Sequence, residues 1–137
     1  MAQVSFEDKT VVVTGAGNGL GKSYALEFAK RGANVVVNDL GGSVDGSGSG
    51  NSPADEVVDE IKNNGGNAVA NYDSVATKEG GESIVNSAIE AFGGLHAVVN
   101  NAGILRDKSF AKMTEEDFNA VLDVHLKGTF FVCQPAF

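Results

Sequence analysis

The sequence has no tryptophan, a single cysteine, and only two prolines, two histidines and two tyrosines among its 137 residues. A lone cysteine excludes an internal disulfide and a cysteine-based metal cluster, so no metal site is expected. With Phe130, Phe131 and Val132 before it, Cys133 reads as a small buried side chain rather than a reactive thiol. No apolar run approaches the ~20 residues that a membrane-spanning helix needs, and the stretch Met1 to Lys9 carries no secretory apolar segment. A soluble, intracellular chain without a membrane span is the expectation. Basic residues are scarce too. Ten Lys and Arg against eighteen Asp and Glu leave a net charge of −8, with no basic stripe, which argues against nucleic acid as a partner.

What is plentiful is glycine, eighteen residues, on a background of 42% hydrophobic residues that is ordinary for a globular chain. The length allows one domain at most, and little more than one mononucleotide-binding half of a doubly wound dinucleotide fold.

The stretch that organises the rest is Thr10 to Gly21. Four β-preferring residues, Thr10 to Val13, run into a glycine-dense turn, and from Leu20 an apolar pattern recurs at Ala25, Phe28 and Ala29 with helical spacing. It reads as strand, tight turn and helix. Glycines let the backbone approach a ligand, and the free N–H groups of a first helical turn make an anion site, most simply for a phosphate or pyrophosphate. Spacing narrows the choice. The fingerprint Gly-x-Gly-x-x-Gly is not met, because its last position falls on Leu20 or Lys22. The triphosphate loop is missed by one residue, Ala16 standing where its first glycine belongs before Gly21-Lys22-Ser23, which leaves a P-loop module as an alternative. Thr14-Gly15-x-x-x-Gly19-x-Gly21 is satisfied throughout.

Lys30-Arg31-Gly32 closes the first helix, and the strand Ala33 to Asn38 is continuously apolar at its centre, as in a parallel strand covered on both faces. Asp39 follows at once. A carboxylate at the end of the second strand, ~20 residues past the glycines, is placed to accept from adenosine ribose hydroxyls and to repel a 2′-phosphate, so NAD is preferred over NADP. A solvated turn residue and a metal-binding Asp of a triphosphatase are the competing readings of Asp39. Leu40 to Asn51, rich in glycine and serine, reads as a flexible surface loop. Ser52-Pro53 then caps a helix with Val57, Val58 and Ile61 on its apolar face, and Gly65-Gly66 ends it.

Ala68 to Tyr72 is the expected third strand, with Asp73-Ser74-Val75 at its carboxyl end, where Asp73 serves equally well as a helix N-cap. Ile84, Val85, Ala88, Ile89 and Phe92 give an amphipathic helix, and strand Ala97-Val98-Val99 runs into Asn100-Asn101-Ala102-Gly103. Small residues there leave room for a ligand over the strand ends, and the amides can satisfy loop backbone groups. After a loop from Ile104 to Met113, Thr114 to Asp117 reads as a capping box. Phe118, Val121, Leu122, His125, Leu126 and Phe130 then share one helical face, with His125 pointing inward.

Taken in order, Thr14 to Gly21, Asp39, Asp73 and Asn100 to Gly103 resemble the short-chain dehydrogenase/reductase family over nearly the whole chain. Four stretches narrow the resemblance: Asn38 to Gly42, Ala70 to Val75, Asn100 to Asp107 and Val124 to Gly128. Together they are similar to the (3R)-hydroxyacyl-CoA dehydrogenase part of the peroxisomal type 2 multifunctional enzymes. The resemblance implies an α/β fold, a Rossmann-like doubly wound parallel sheet with helices on both faces, here truncated after the fourth strand and the following helix. It implies NAD as cofactor, held by Gly15, Asn18, Gly19, Leu20 and Gly21, by Asp39, by Asp73, Ser74 and Val75 beside the adenine, and by Asn101, Ala102 and Gly103 on the nicotinamide side. It further implies oxidation of a 3-hydroxyacyl-CoA in fatty-acid β-oxidation, a homodimer or paired dehydrogenase domain, and a peroxisomal setting, although no targeting signal is present.

Two departures stand out. The family's base is a Tyr with a Lys four residues on, plus a Ser. Tyr24 and Tyr72 are followed four residues later by Phe28 and Ala76, so no catalytic residue is assigned and residues 1–137 are expected to be the NAD-binding part of a longer enzyme. A non-catalytic NAD-binding or interaction fragment is the alternative. His125 stands where most of the family carries Asn, as it does in the multifunctional subgroup.

Overall fold

The computed structural model of the chain describes residues 4–42 and 52–137. Strands β1 (Thr10–Thr14), β2 (Asn34–Asn38), β3 (Asn67–Asn71) and β4 (Ala97–Val99) alternate with helices α1 (Gly19–Lys30), α2 (Ser52–Asn63) and α3 (Lys78–Phe92). Beyond β4 come a 3₁₀ turn at Phe110–Lys112, α4 (Glu115–Leu122), a π-helical turn at Asp123–Lys127 and α5 (Gly128–Ala136). The strands form one sheet in the order β3-β2-β1-β4, every neighbouring pair parallel. This is the doubly wound arrangement expected from the sequence, and the strand order reverses direction between β1 and β4.

The apolar strands explain the layering. Successive side chains of a strand point to opposite faces, so Val11, Val13, Val35 and Val37 pack with Ala25 and Ala29 of α1 and Val57, Val58 and Ile61 of α2. Val12 and Val36 pack instead with Ile84, Val85 and Ala88 of α3 and Val132 of α5. Burying such a side chain stabilises by roughly 1.5–3 kcal/mol, so a charge at Val36, 0% exposed, would be intolerable on either side of the sheet.

Three expectations about burial are corrected. On α1 the core face is Gly21, Ala25 and Ala29, and Leu20 is 67% exposed: small residues at intervals of four bring the helix against the sheet, and Leu20 lies a step round from them. Beyond Thr114 most of the expected inward face is outward, with Phe118, Leu126 and Phe130 more than half exposed and His125 exposed as well, while Val121 and Leu122 are half-buried. Val124, Val132 and Ala136 turn to the core instead. The cause is close helix contact, since a Cβ on Gly81 of α3 would lie 2.1 Å from the Phe131 carbonyl oxygen. Bulky residues cannot enter so tight a seam, and the small-residue face takes it. Cys133, next to Val132, is exposed rather than buried, and its sulfur accepts from Asn100 Nδ2 at 3.2 Å.

Helix α2 begins where Ser52-Pro53 predicts, but the Ser52 side chain and residues 43–51 of the expected loop lie outside the described residues. Asp73 is not a helix cap. Thr77 caps α3, its hydroxyl accepting from the Gly80 amide at 3.0 Å. Among the described residues, no helix is long and apolar enough to cross a membrane.

Candidate functional site

Parallel strands end together, so the residues that follow β1, β2, β3 and β4 meet at one edge of the sheet. The turn after β1 and the Asn100-Asn101 turn after β4 are stitched into one structure. Asn101 Nδ2 donates to the carbonyls of Thr14 and Gly15, both at 3.1 Å, while the Thr14 hydroxyl accepts from the amides of Asn101 and Ala102, also at 3.1 Å. Asn101 thus uses its side chain on the first turn, and Ala102 presents only a methyl group above it. Beneath, α1 docks through Gly21. A Cβ there would lie 2.2 Å from the Gly15 carbonyl oxygen and 2.5 Å from Asn101 Nδ2.

After β2, the Asp39 carboxylate folds back on the glycine turn. Oδ2 accepts from the Gly17 amide at 2.8 Å and Oδ1 from the Gly41 amide at 2.7 Å. After β3, a polar network that is buried at Asn38 and Asn71 and opens toward solvent at Asp73 sets the turn. Asn38 Nδ2 donates to Asn71 Oδ1 and to the Asp73 carbonyl, both at 2.9 Å, and Asn71 Oδ1 also accepts from the Asp73 amide at 3.0 Å. Asn71 Nδ2 reaches Ser87 Oγ at 2.9 Å, and Ser83 Oγ donates to the Asp73 carboxylate.

These turns enclose a cleft of about 420 Å³. Gly15, Asn18, Asp39, Asp73, Ser74, Val75, Asn101, Ala102 and Gly103 line it, so the structure brings together residues spread over nearly ninety positions. Gly19, Leu20 and Gly21 do not line it: Gly21 is buried under Gly15, and Gly19 and Leu20 open α1 at the rim. Sequence reasoning missed Asn38, Ile104, Arg106, Asp123 and Val124, which are among the residues that complete the wall with Leu40, Gly42, Ala76 and Ala120. Asn38 and Asn71 are polar residues ending apolar strands, but it is the pairing of β2 with β3 that turns them into buried partners at the cleft. A larger hollow of about 800 Å³ lies at the opposite end of the strands, by Gly32, Ala33, Gly65 and Gly66. Ligands of such sheets bind at the carboxyl ends, where the smaller cleft is.

Loop 104–113 is pinned to α4 by ions. The Asp117 carboxylate meets Lys108 Nζ at 2.8 Å and Arg106 at 3.3 Å, and Thr114 Oγ1 donates to it at 2.8 Å. The Lys108 ammonium foremost, then the Thr114 hydroxyl, hold the Asp117 carboxyl down at about 2. The capping box is therefore half realised. Thr114 accepts from the Asp117 amide at 3.1 Å, while the Asp117 side chain serves the loop cations. His125, in the π turn, places Nε2 at 3.1 Å from the Ile104 amide nitrogen and 3.0 Å from its carbonyl oxygen. It accepts from the first in one tautomer and donates to the second in the other.

Lys22, which a triphosphate loop would direct at a phosphate, points away and pairs with Glu60 of α2 at 2.8 Å. The cleft has instead the features a dinucleotide needs: bare backbone at Gly15, a carboxylate at the far lip, and an exposed first helical turn whose N-cap Asn18 makes no side-chain cap bond.

The short chain dehydrogenase family model matches residues 9–137, and the chain belongs to this family. Its cofactor class is accordingly a nicotinamide dinucleotide. The chain is 60% identical over 133 residues to the peroxisomal multifunctional enzyme A of Dictyostelium discoideum, covering 97% of this chain and 30% of that protein. It is 56% identical over 131 residues to the peroxisomal multifunctional enzyme type 2 of Mus musculus, covering 96% of this chain and 17% of that protein. A crystal structure of a short chain dehydrogenase from Mycobacterium avium superposes with a TM-score of 0.89 at 49% identity, over 97% of this chain and 46% of that one. The chain thus spans less than half the length of these relatives, and its resemblance to the multifunctional enzymes is borne out.

Proposed function

We propose that residues 1–137 form the NAD-binding part of a dehydrogenase domain that oxidises a (3R)-3-hydroxyacyl-CoA in fatty-acid β-oxidation. The observation that carries this reading is the Asp39 carboxylate, seated on the glycine turn by the Gly17 and Gly41 amides at the lip of the cleft. A carboxylate accepts about four hydrogen bonds. Two acceptor positions remain for the paired hydroxyls of an adenosine ribose, while a 2′-phosphate there would meet like charge, which favours NAD over NADP.

Gly15 and Asn18 in the cleft, with Gly19 and Leu20 at its rim, take the pyrophosphate through turn and helix N–H groups, while Gly21 serves by letting α1 dock under Gly15. Asp73, Ser74 and Val75 flank the adenine, and Asn101, Ala102 and Gly103 keep the nicotinamide side shallow. When bound, the nicotinamide supplies hydride chemistry. The residues of this chain bind and orient, and the alcohol proton needs a base that they do not include, since neither Tyr24 nor Tyr72 precedes a Lys by four residues and the Tyr72 hydroxyl donates to Asp55. The names of the relatives support a peroxisomal setting, and a homodimer or paired dehydrogenase domain is the assembly we propose.

Calorimetric titration of the full-length protein with NAD and NADP tests the cofactor. Preference for NAD in the wild type, lost by roughly tenfold or more in Asp39→Ala, is expected from removing hydrogen bonds to a charged group. Equal affinities in the wild type would refute it. Turnover of a (3R)-3-hydroxyacyl-CoA by the same protein tests the substrate. The alternative, a non-catalytic NAD-binding or interaction fragment, is separated by the same assay as binding without turnover.

A further inference from the structure

Gly17 is a glycine that its own backbone does not demand. Gly15 and Gly19 stand at φ +63° and +56°, where side chains are strained, but Gly17 is not among the positive-φ glycines. A Cβ at Gly17 would nevertheless lie 2.7 Å from Asp39 Oδ2 and 2.6 Å from the Cβ of Pro53, closer than nonbonded atoms approach. The space a side chain would need is filled by the carboxylate that bonds the Gly17 amide at 2.8 Å, with the first turn of α2 beside it.

We propose that Gly17 is a positioning residue that sets cofactor selectivity: by lacking a side chain, it lets Asp39 lie on the turn where its remaining acceptor positions face a ribose diol. This rests on the NAD reading of the cleft and deepens it. With alanine at this position the carboxylate must leave the Gly17 amide, both because the methyl group occupies its place and because Pro53 closes the alternative side. The Gly41 amide, at 2.7 Å from Oδ1, then holds the carboxylate alone and leaves it free to pivot. A pivoted carboxylate neither accepts from two adjacent hydroxyls nor stands where a 2′-phosphate would lie. Both changes act on discrimination, not on general grip.

The test is calorimetric titration of the full-length wild type, Gly17→Ala, Asp39→Ala and the double variant with NAD and with NADP. We expect the NAD-to-NADP affinity ratio to fall about tenfold in Gly17→Ala, as for loss of a hydrogen bond to a charged group. In the Asp39→Ala background Gly17→Ala should change the ratio no further, because it acts through that carboxylate. General loosening of the turn would weaken both dinucleotides alike and keep the ratio, which would overturn the proposal. A wild type without NAD preference overturns the underlying reading and this inference together, whereas a preference that survives Gly17→Ala overturns the inference alone. Should Gly17→Ala not fold, amide hydrogen exchange in the wild type and Asp39→Ala decides. Gly17 and Gly41 should exchange faster without the carboxylate, while Ala16, whose amide donates to the Asn38 carbonyl at 2.8 Å, keeps its rate. An unchanged Gly17 rate would refute the proposal.

Discussion

The sheet carries the same residue pair at both ends, and the two pairs differ. At the amino end Asn34 and Asn67 are register partners, and their amides meet at 3.3 Å in an exposed position. At the carboxyl end Asn38 and Asn71 are register partners four residues on. There the bond is 2.9 Å and buried, and it continues through the Asp73 turn to Ser83 and Ser87 of α3. Chemistry and register are shared, so burial accounts for the difference. A hydrogen bond that competes with water contributes little, while the same bond in a dry network is costly to break because its partners have nowhere else to turn. At the amino end the asparagine pair stands in water and, among the described residues, joins no wider side-chain network. The carboxyl end is held by polar groups that also shape the cleft, which ties its stability to its binding geometry.

The sharpest way to break this contrast is to remove one amide from each end. Asn71→Leu takes an acceptor from the buried Asn38 amide and from the part-buried Asp73 amide and a donor from the part-buried Ser87 hydroxyl, and such losses cost on the order of 1–3 kcal/mol each, least where water can enter. A loss of about 3 kcal/mol in urea-induced unfolding is expected. Asn67→Leu, exposed, should stay within about 0.5 kcal/mol of wild type. Similar losses at the two ends would show that the network adds nothing beyond its pairwise bonds.

Sequence and structure agree best where one local rule decides. The parallel strands follow from uninterrupted valines, the turns from Thr14-Gly15-x-x-x-Gly19-x-Gly21 and Asn100 to Gly103, and the acidic lip from Asp39, and each is local in the chain. Misreadings fell where two surfaces compete. The helix after Thr114 is apolar on two faces, and helical spacing favoured the one with Phe118, Val121, Leu122, His125, Leu126 and Phe130. Gly81 on a different helix settles which face is inward, and no window on the Thr114 helix contains it. Asn38 and Arg106 were missed for a related reason. A polar residue ending a strand or lying in a loop declares itself as cleft wall only once strands far apart in sequence are set side by side. Gly17 was overlooked because the family pattern leaves its position open, and only the Asp39 carboxylate makes it special.

Ion pairs offer a subtler form of the end-to-end comparison. Asp117, 7% exposed, is held by Lys108, Thr114 and Arg106 beside the cleft, whereas Lys22–Glu60 bridges α1 and α2 near the amino-end hollow with both side chains well exposed. The Asp117 carboxyl sits at about 2, below its ordinary 3.8. A depressed carboxyl stabilises the folded chain at pH above its unfolded value, and that contribution fades as pH falls from about 4 toward 2. Asp117→Asn should therefore lower the melting temperature at pH 6, and the gap to wild type should shrink on acidification through this window. A gap independent of pH would mean that the carboxylate's charge is irrelevant there. Glu60→Gln should move the melting temperature least of all, since exposed pairs contribute about 0–1 kcal/mol and are screened by salt. If 0.5 M salt abolishes the small Glu60 effect while the Asp117 effect persists, coverage of the carboxylate, rather than the number of ionic contacts, separates the two ends of the sheet.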